Sequence, residues 1–144
     1  MWENFIRNIS EEYVFNGPAT IKRIEEINNK FKIELPDELQ SLLKETDGIN
    51  DEYRGYLVWS TSRIIEENSN LRSYEDFKDL YMPFDCLLFI ADAENGDLFA
   101  YSILNGSIQK DDIYVWNHEN DSRTWVAPSL KQFIKWWSDG TISV

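Results

Sequence analysis

Five consecutive apolar residues, Leu87-Leu88-Phe89-Ile90-Ala91, constrain this chain more than any other stretch. A run of that length without polar alternation reads as a central strand buried on both faces. Glu94-Asn95-Gly96-Asp97 is a strong turn signal, and Leu98-Phe99-Ala100-Tyr101 is the returning strand. A second Asn-Gly follows at Asn105-Gly106, and Ile113-Tyr114-Val115-Trp116 is the next strand. Asn117-His118-Glu119-Asn120-Asp121 is a polar turn, after which Thr124-Trp125-Val126-Ala127 pairs back. A lone hairpin is not stable in water, so this meander of about four strands needs helices against one face.

The sequence before the meander supplies them. Phe5, Ile6, Ile9, Tyr13 and Phe15 begin with the spacing of a short amphipathic helix, which Asn16-Gly17-Pro18 ends. Thr20 can cap a second helix, with Ile21, Ile24, Ile27 and Phe31 on one face. Leu35-Pro36-Asp37-Glu38 opens a third, because proline suits the first turn and acids there favour the helix dipole. Leu39, Leu42 and Leu43 form its buried stripe, and Asp47-Gly48 stops it. Tyr56-Leu57-Val58-Trp59 reads as a strand, with a short helix starting at Ser60 or Thr61. Residues 69–85 are ambiguous, although Phe77, Leu80 and Tyr81 have helical spacing. Pro128 and Ser129 open a last helix carrying Leu130, Phe133, Ile134 and Trp137. Helices, then mostly strands, then a helix predict an α+β fold: a mixed, largely antiparallel sheet of about four to six strands flanked by helices, in one domain spanning 1–144.

Charge narrows the function. The chain carries 26 acidic and 14 basic residues, a net charge of −12, and a field of that sign repels nucleic-acid phosphates and anionic membranes. A cationic partner surface is attracted and its association accelerated. The one cysteine, Cys86, excludes an internal disulfide and fits a reducing compartment. No apolar run approaches a membrane span, so a soluble cytoplasmic protein is expected.

Catalytic patterns are scarce. His118, the only histidine, has Glu119 beside it and is a candidate general base for a small hydrolase, while a glycosidase-type carboxylate pair stays open among the many acids with no two nominated. No Gly-x-Ser-x-Gly elbow accompanies it, and Cys86 beside its apolar strand reads as a small packed hydrophobe. Asp92-Ala93-Glu94-Asn95-Gly96-Asp97 resembles a calcium loop, but its glycine falls at position five rather than six, and a hairpin explains it better. With one histidine and one cysteine, a zinc site would need at least two carboxylates, and no metal or cofactor is expected. Six tryptophans remain to be placed; Trp136 and Trp137 point about 100° apart on a helix, so either one belongs to a contact surface or both wrap the sheet edge.

Four short motifs, in order, resemble the SUKH superfamily, which includes yeast regulators of cell-wall synthesis and bacterial immunity proteins. They are Leu35-Pro36 with Leu39, Leu42-Leu43 and Asp47-Gly48; the strand ending at Trp59 with its Ile64 helix; Leu88-Phe89-Ile90-Ala91-Asp92 with Gly96-Asp97-Leu98-Phe99; and Val115-Trp116-Asn117-His118-Glu119 with Ala127, Leu130 and Phe133. Asp47 stands where the family more often has Asn. The resemblance covers about residues 21–137. It implies no catalytic activity and a cytoplasmic bacterial immunity protein that binds and blocks a cognate toxin, with a basic nuclease domain as the expected partner. The other reading is a non-catalytic regulatory or scaffold module. Expected partner-binding residues are Asp92, Glu94, Asp97, His118, Glu119 and Asp121 in the turns, with Tyr53, Trp59 and Trp116 as aromatic anchors. Edge strands and surface tryptophan also leave a homodimer open.

Overall fold

A computed structural model of the chain describes residues 1–51, 55–74 and 80–144. Tyr53 and Phe77 lie outside the described residues. The elements run α1 (Trp2–Ile9), β1 (Val14–Phe15), α2 (Ile21–Phe31), α3 (Asp37–Glu45), β2 (Ile49–Asn50), β3 (Tyr56–Val58), α4 (Thr61–Ser73), β4 (Leu87–Asp92), β5 (Leu98–Ser102), β6 (Ile113–Trp116), β7 (Arg123–Ala127) and α5 (Leu130–Ser138). The α+β class stands, with the strands divided into two antiparallel sheets, β1-β2-β3 and β4-β5-β6-β7. The short strands β1 and β2 have no hydrophobic pattern long enough to announce them, which is why Phe15 reads as helical in sequence and is strand in the fold.

The two sheets meet at a bulge. Register passes from Phe89↔Ala100 to Ala91↔Phe99, leaving Ile90 as the extra residue, and its carbonyl accepts from the Trp59 backbone N–H at 2.7 Å. Beside it the buried Asn68 of α4 accepts from Phe89 N and donates to Phe89 O, both at 2.8 Å. The edge of β4 is thereby satisfied without another long strand.

Caps set most helix starts. Thr20, Ser60 and Ser129 each accept from the backbone N–H three residues on. α1 has no such side chain, and the Glu45 carboxylate from α3 accepts from Trp2 N and Glu3 N instead. Asp47-Gly48 proves to be a junction rather than a helix stop, since α3 ends at Glu45 in extended Thr46. Asp47 accepts from both the N–H and the hydroxyl of Thr61, tying α3 to the start of α4. A Cβ on Gly48, at φ 85°, would come within 2.7 Å of the Ser60 nitrogen, so only glycine permits that approach.

The core lies where these layers meet. Leu39, Leu42 and Leu43 are fully buried, as are Leu88, Phe89 and Ile90. On one face of the four-stranded sheet, Phe99 packs against Phe133 and Trp137 of α5 at 4.7 and 5.1 Å. Tyr81 and Phe84 stand edge-on to Trp116 at 5.1 and 5.2 Å. Trp136 and Trp137 are both half-buried against this core, the arrangement in which the pair wraps the sheet. Two expectations are corrected. Ile21, the first residue of α2, is exposed, and Cys86 is exposed, because it precedes β4 in the connecting loop. Among the described residues no helix is long and apolar enough to cross a membrane.

Candidate functional site

Antiparallel order places the β4–β5 and β6–β7 turns at the same end of the sheet. The first is closed by Ala93 N–H to Asp97 O at 2.9 Å, and the Asn95 side chain accepts from Asp97 N. Glu94 and Gly96 both take positive φ, 67° and 102°. The second is closed by Asn117 N–H to Ser122 O and Asp121 N–H to Asn117 O, while Asn117 Oδ1 accepts from Glu119 N and Asn120 N. Asp51 and Gly55, which flank the β2–β3 connection, bond to each other through Asp51 N–H to Gly55 O and Gly55 N–H to Asp51 Oδ1.

Side chains weld these turns into one surface. A Cβ on Gly55 would fall on Glu94 Oε1 and near Asp51 Oδ2, so both carboxyls converge on the glycine. A Cβ on Gly96 would lie 2.8 Å from the His118 ring, which is stacked over that glycine. Burial, then the hydrogen bond and charge of Asp51, and then the charge of Asp92, push the Glu94 carboxyl above the ordinary glutamate range. Glu94 and Glu119 are exposed.

The remaining acids are turned to internal tasks. Asp92 accepts from the Trp59 indole at 2.9 Å and pairs with Arg63 at 3.3 Å. Arg63 also lies over the rings of Tyr56 and Trp59, at 4.9 and 5.1 Å. Asp97 is only 5% exposed, and its Oδ1 accepts from His118 N and faces His118 Nδ1. Asp121 accepts from Trp116 Nε1 at 2.7 Å, Met82 N at 2.9 Å and Arg123 at 3.1 Å. Burial opposes its ionisation, but these donors together hold it below the ordinary aspartate range.

The expected site residues therefore separate. The sheet order gathers Asp92, Glu94, Asp97, His118, Glu119 and Asp121 at one end. Trp59 and Trp116, expected as aromatic anchors, are 0% and 4% exposed, and their indoles bond to Asp92 and Asp121. Asp97 is buried too, its carboxylate bonded to the neighbouring turn. Glu94 and Glu119 retain free outer faces, and the His118 side chain is 39% exposed. Asp51 and Arg63 belong to this end and were not legible in sequence, since neither sits in a distinctive local pattern.

The Asp97–His118 pair has the geometry in which a carboxylate orients an imidazole. No hydroxyl or thiol hydrogen-bonds to His118 Nε2 among the described residues. Nor do the described residues include a group of three or more His, Cys, Asp or Glu side chains able to hold a metal ion.

No curated protein matches the sequence significantly. The family model described as SMI1-KNR4 cell-wall (SUKH_6) matches residues 21–134, which takes in the four-stranded sheet, β2 and β3 of the other sheet and the α3–α4 junction, and on that match the chain belongs to this SUKH family.

Proposed function

We propose that the chain is an immunity protein that neutralises a cognate toxin by direct binding, with a nuclease bearing a basic surface as the toxin class. The observation that carries this is the convergence of the β4–β5 and β6–β7 turns with the Asp51–Gly55 pair at one end of the sheets, where Asp51, Glu94 and Glu119 belong to a chain of net charge −12. A nuclease surface that ordinarily meets phosphate is positive, and such a surface is steered toward these carboxylates and occluded by them. Loops on a rigid sheet suit this work, because their exposed side chains vary without disturbing the core. The action requires no catalysis by the chain itself and takes place in the cytoplasm where the toxin is made.

The test is co-expression with a toxin-like polypeptide encoded beside this gene. Growth should be rescued, and an equimolar complex should survive size-exclusion chromatography. Glu94→Lys with Glu119→Lys should abolish rescue while leaving the circular dichroism spectrum intact. Absence of both rescue and complex, with the toxin demonstrably expressed, would overturn this reading and leave a regulatory or scaffold module.

A further inference from the structure

The four-stranded sheet has one open edge. β7 is terminal in the order β4-β5-β6-β7, and among the described residues no backbone hydrogen bond reaches it from the side away from β6. The opposite edge is closed by Trp59 and Asn68. An unpaired edge is a template for another strand unless charge, proline or cover guards it.

β7 is bulged at Val126 but carries no proline and no outward charge. Its only charged side chain, Arg123, is turned toward Asp121 and the carbonyls of Met82 and Pro83. Thr124 is exposed, and Trp125 is 48% exposed, whereas the other five tryptophans are buried or half-buried. The surrounding charge is also unlike the rest of the chain. Residues 122–138 contain three basic residues and no acidic one, in a protein with 26 acids. β7 is thus a strand along which two copies, each at −12, meet without opposing carboxylates.

We propose that β7 pairs antiparallel with β7 of a second copy about a two-fold axis near Trp125, joining the two sheets into one. Such an interface is isologous, since one patch meets itself. The two Trp125 rings become cross-strand neighbours, and each loses its exposure to water. Repulsion between two acidic molecules opposes the dimer at low ionic strength and is screened as salt rises. The salt response is therefore the reverse of that expected for an acidic protein on a basic toxin, and the two readings fail independently.

Sedimentation equilibrium of the full chain at about 0.02 M and about 0.5 M salt tests this, conditions on either side of effective screening. The expected result is a dimer whose population grows with salt, and whose association weakens about tenfold or more in Trp125→Lys. Trp125 is exposed, so that variant should keep the parent's circular dichroism spectrum; Thr124→Lys, also on the open strand, serves if it does not. A monomer at both salt concentrations, or a dimer indifferent to both lysine variants, overturns the proposal.

Discussion

Asp97 and His118, twenty-one residues apart, are joined twice through one oxygen: Asp97 Oδ1 lies 3.1 Å from the His118 backbone nitrogen and 2.7 Å from its Nδ1. A carboxylate oxygen accepts, so the imidazole tautomer that fits carries its proton on Nδ1. The ring is thereby held flat over Gly96, and the β4–β5 turn is locked to the β6–β7 turn. The Gly-Asp of one family motif and the His of another are two halves of a single contact.

That contact should be measurable as stability. Asp97→Ala removes a buried carboxylate and leaves the half-buried His118 N–H without its acceptor, and should cost about 1–3 kcal/mol. Gly96→Ala combines a strained positive φ with a collision against the imidazole and should cost about 1–3 kcal/mol. Urea unfolding would show both as lower midpoints at unchanged slope. A midpoint equal to the parent's in Asp97→Ala would mean that the pair holds nothing together.

Asn68 should be among the least replaceable polar residues. It is fully buried and satisfies both the N–H and the carbonyl of Phe89 where β4 bulges. Asn68→Ala leaves both groups without partners and should cost about 2–4 kcal/mol. Hydrogen exchange at the Phe89 amide would rise well above that of its strand neighbours. Continued protection there would argue that water replaces the side chain at little cost.

Two carboxyls should give opposite pH signatures. Asp121, held low by its donors, contributes stability that is present above the ordinary aspartate pKa and is lost as pH falls through its folded value, so the window lies below about pH 4. Asp121→Asn should flatten the acid limb of the thermal midpoint. Glu94, pushed up by burial and by Asp51, stabilises the fold while protonated and loses that contribution as pH rises through its folded value. Glu94→Gln should therefore raise the midpoint at neutral pH and do nothing near pH 4. A neutral-pH midpoint lower than the parent's would show that the Glu94 charge is compensated.

Partner binding and stability should divide between neighbouring residues. Glu94→Lys and Glu119→Lys should each slow association with a basic toxin about tenfold at low salt, with unfolding unchanged in Glu119→Lys and stability no lower in Glu94→Lys, where a repelled carboxylate is removed. Trp59→Ala, which empties a fully buried site, should cost about 3–5 kcal/mol of stability. Stopped-flow association set beside chemical denaturation separates the two. Charge reversals that slow nothing would move the contact surface elsewhere.

Local chemistry decided a good part of this protein. The run through Leu87–Asp92, the Asn-Gly turns, the leucine stripe of α3 and the caps Thr20, Ser60 and Ser129 are short-range patterns, and each formed the element its pattern predicts. Gly96 and Asp97 were legible as a turn, but not as the seat of His118. The sequence likewise marked Trp59 and Trp116 as aromatic and Asp92, Asp97 and Asp121 as acidic, without telling which would meet solvent. Tertiary structure alone decided that the indoles of those two tryptophans bond to Asp92 and Asp121, that Asp97 faces inward, and that Glu94 and Glu119 remain outside. The reason is physical: helix and strand periods act over a few residues, whereas Trp59 meets Asp92 across 33 residues and Asp97 meets His118 across 21, contacts that form only once the strands have paired.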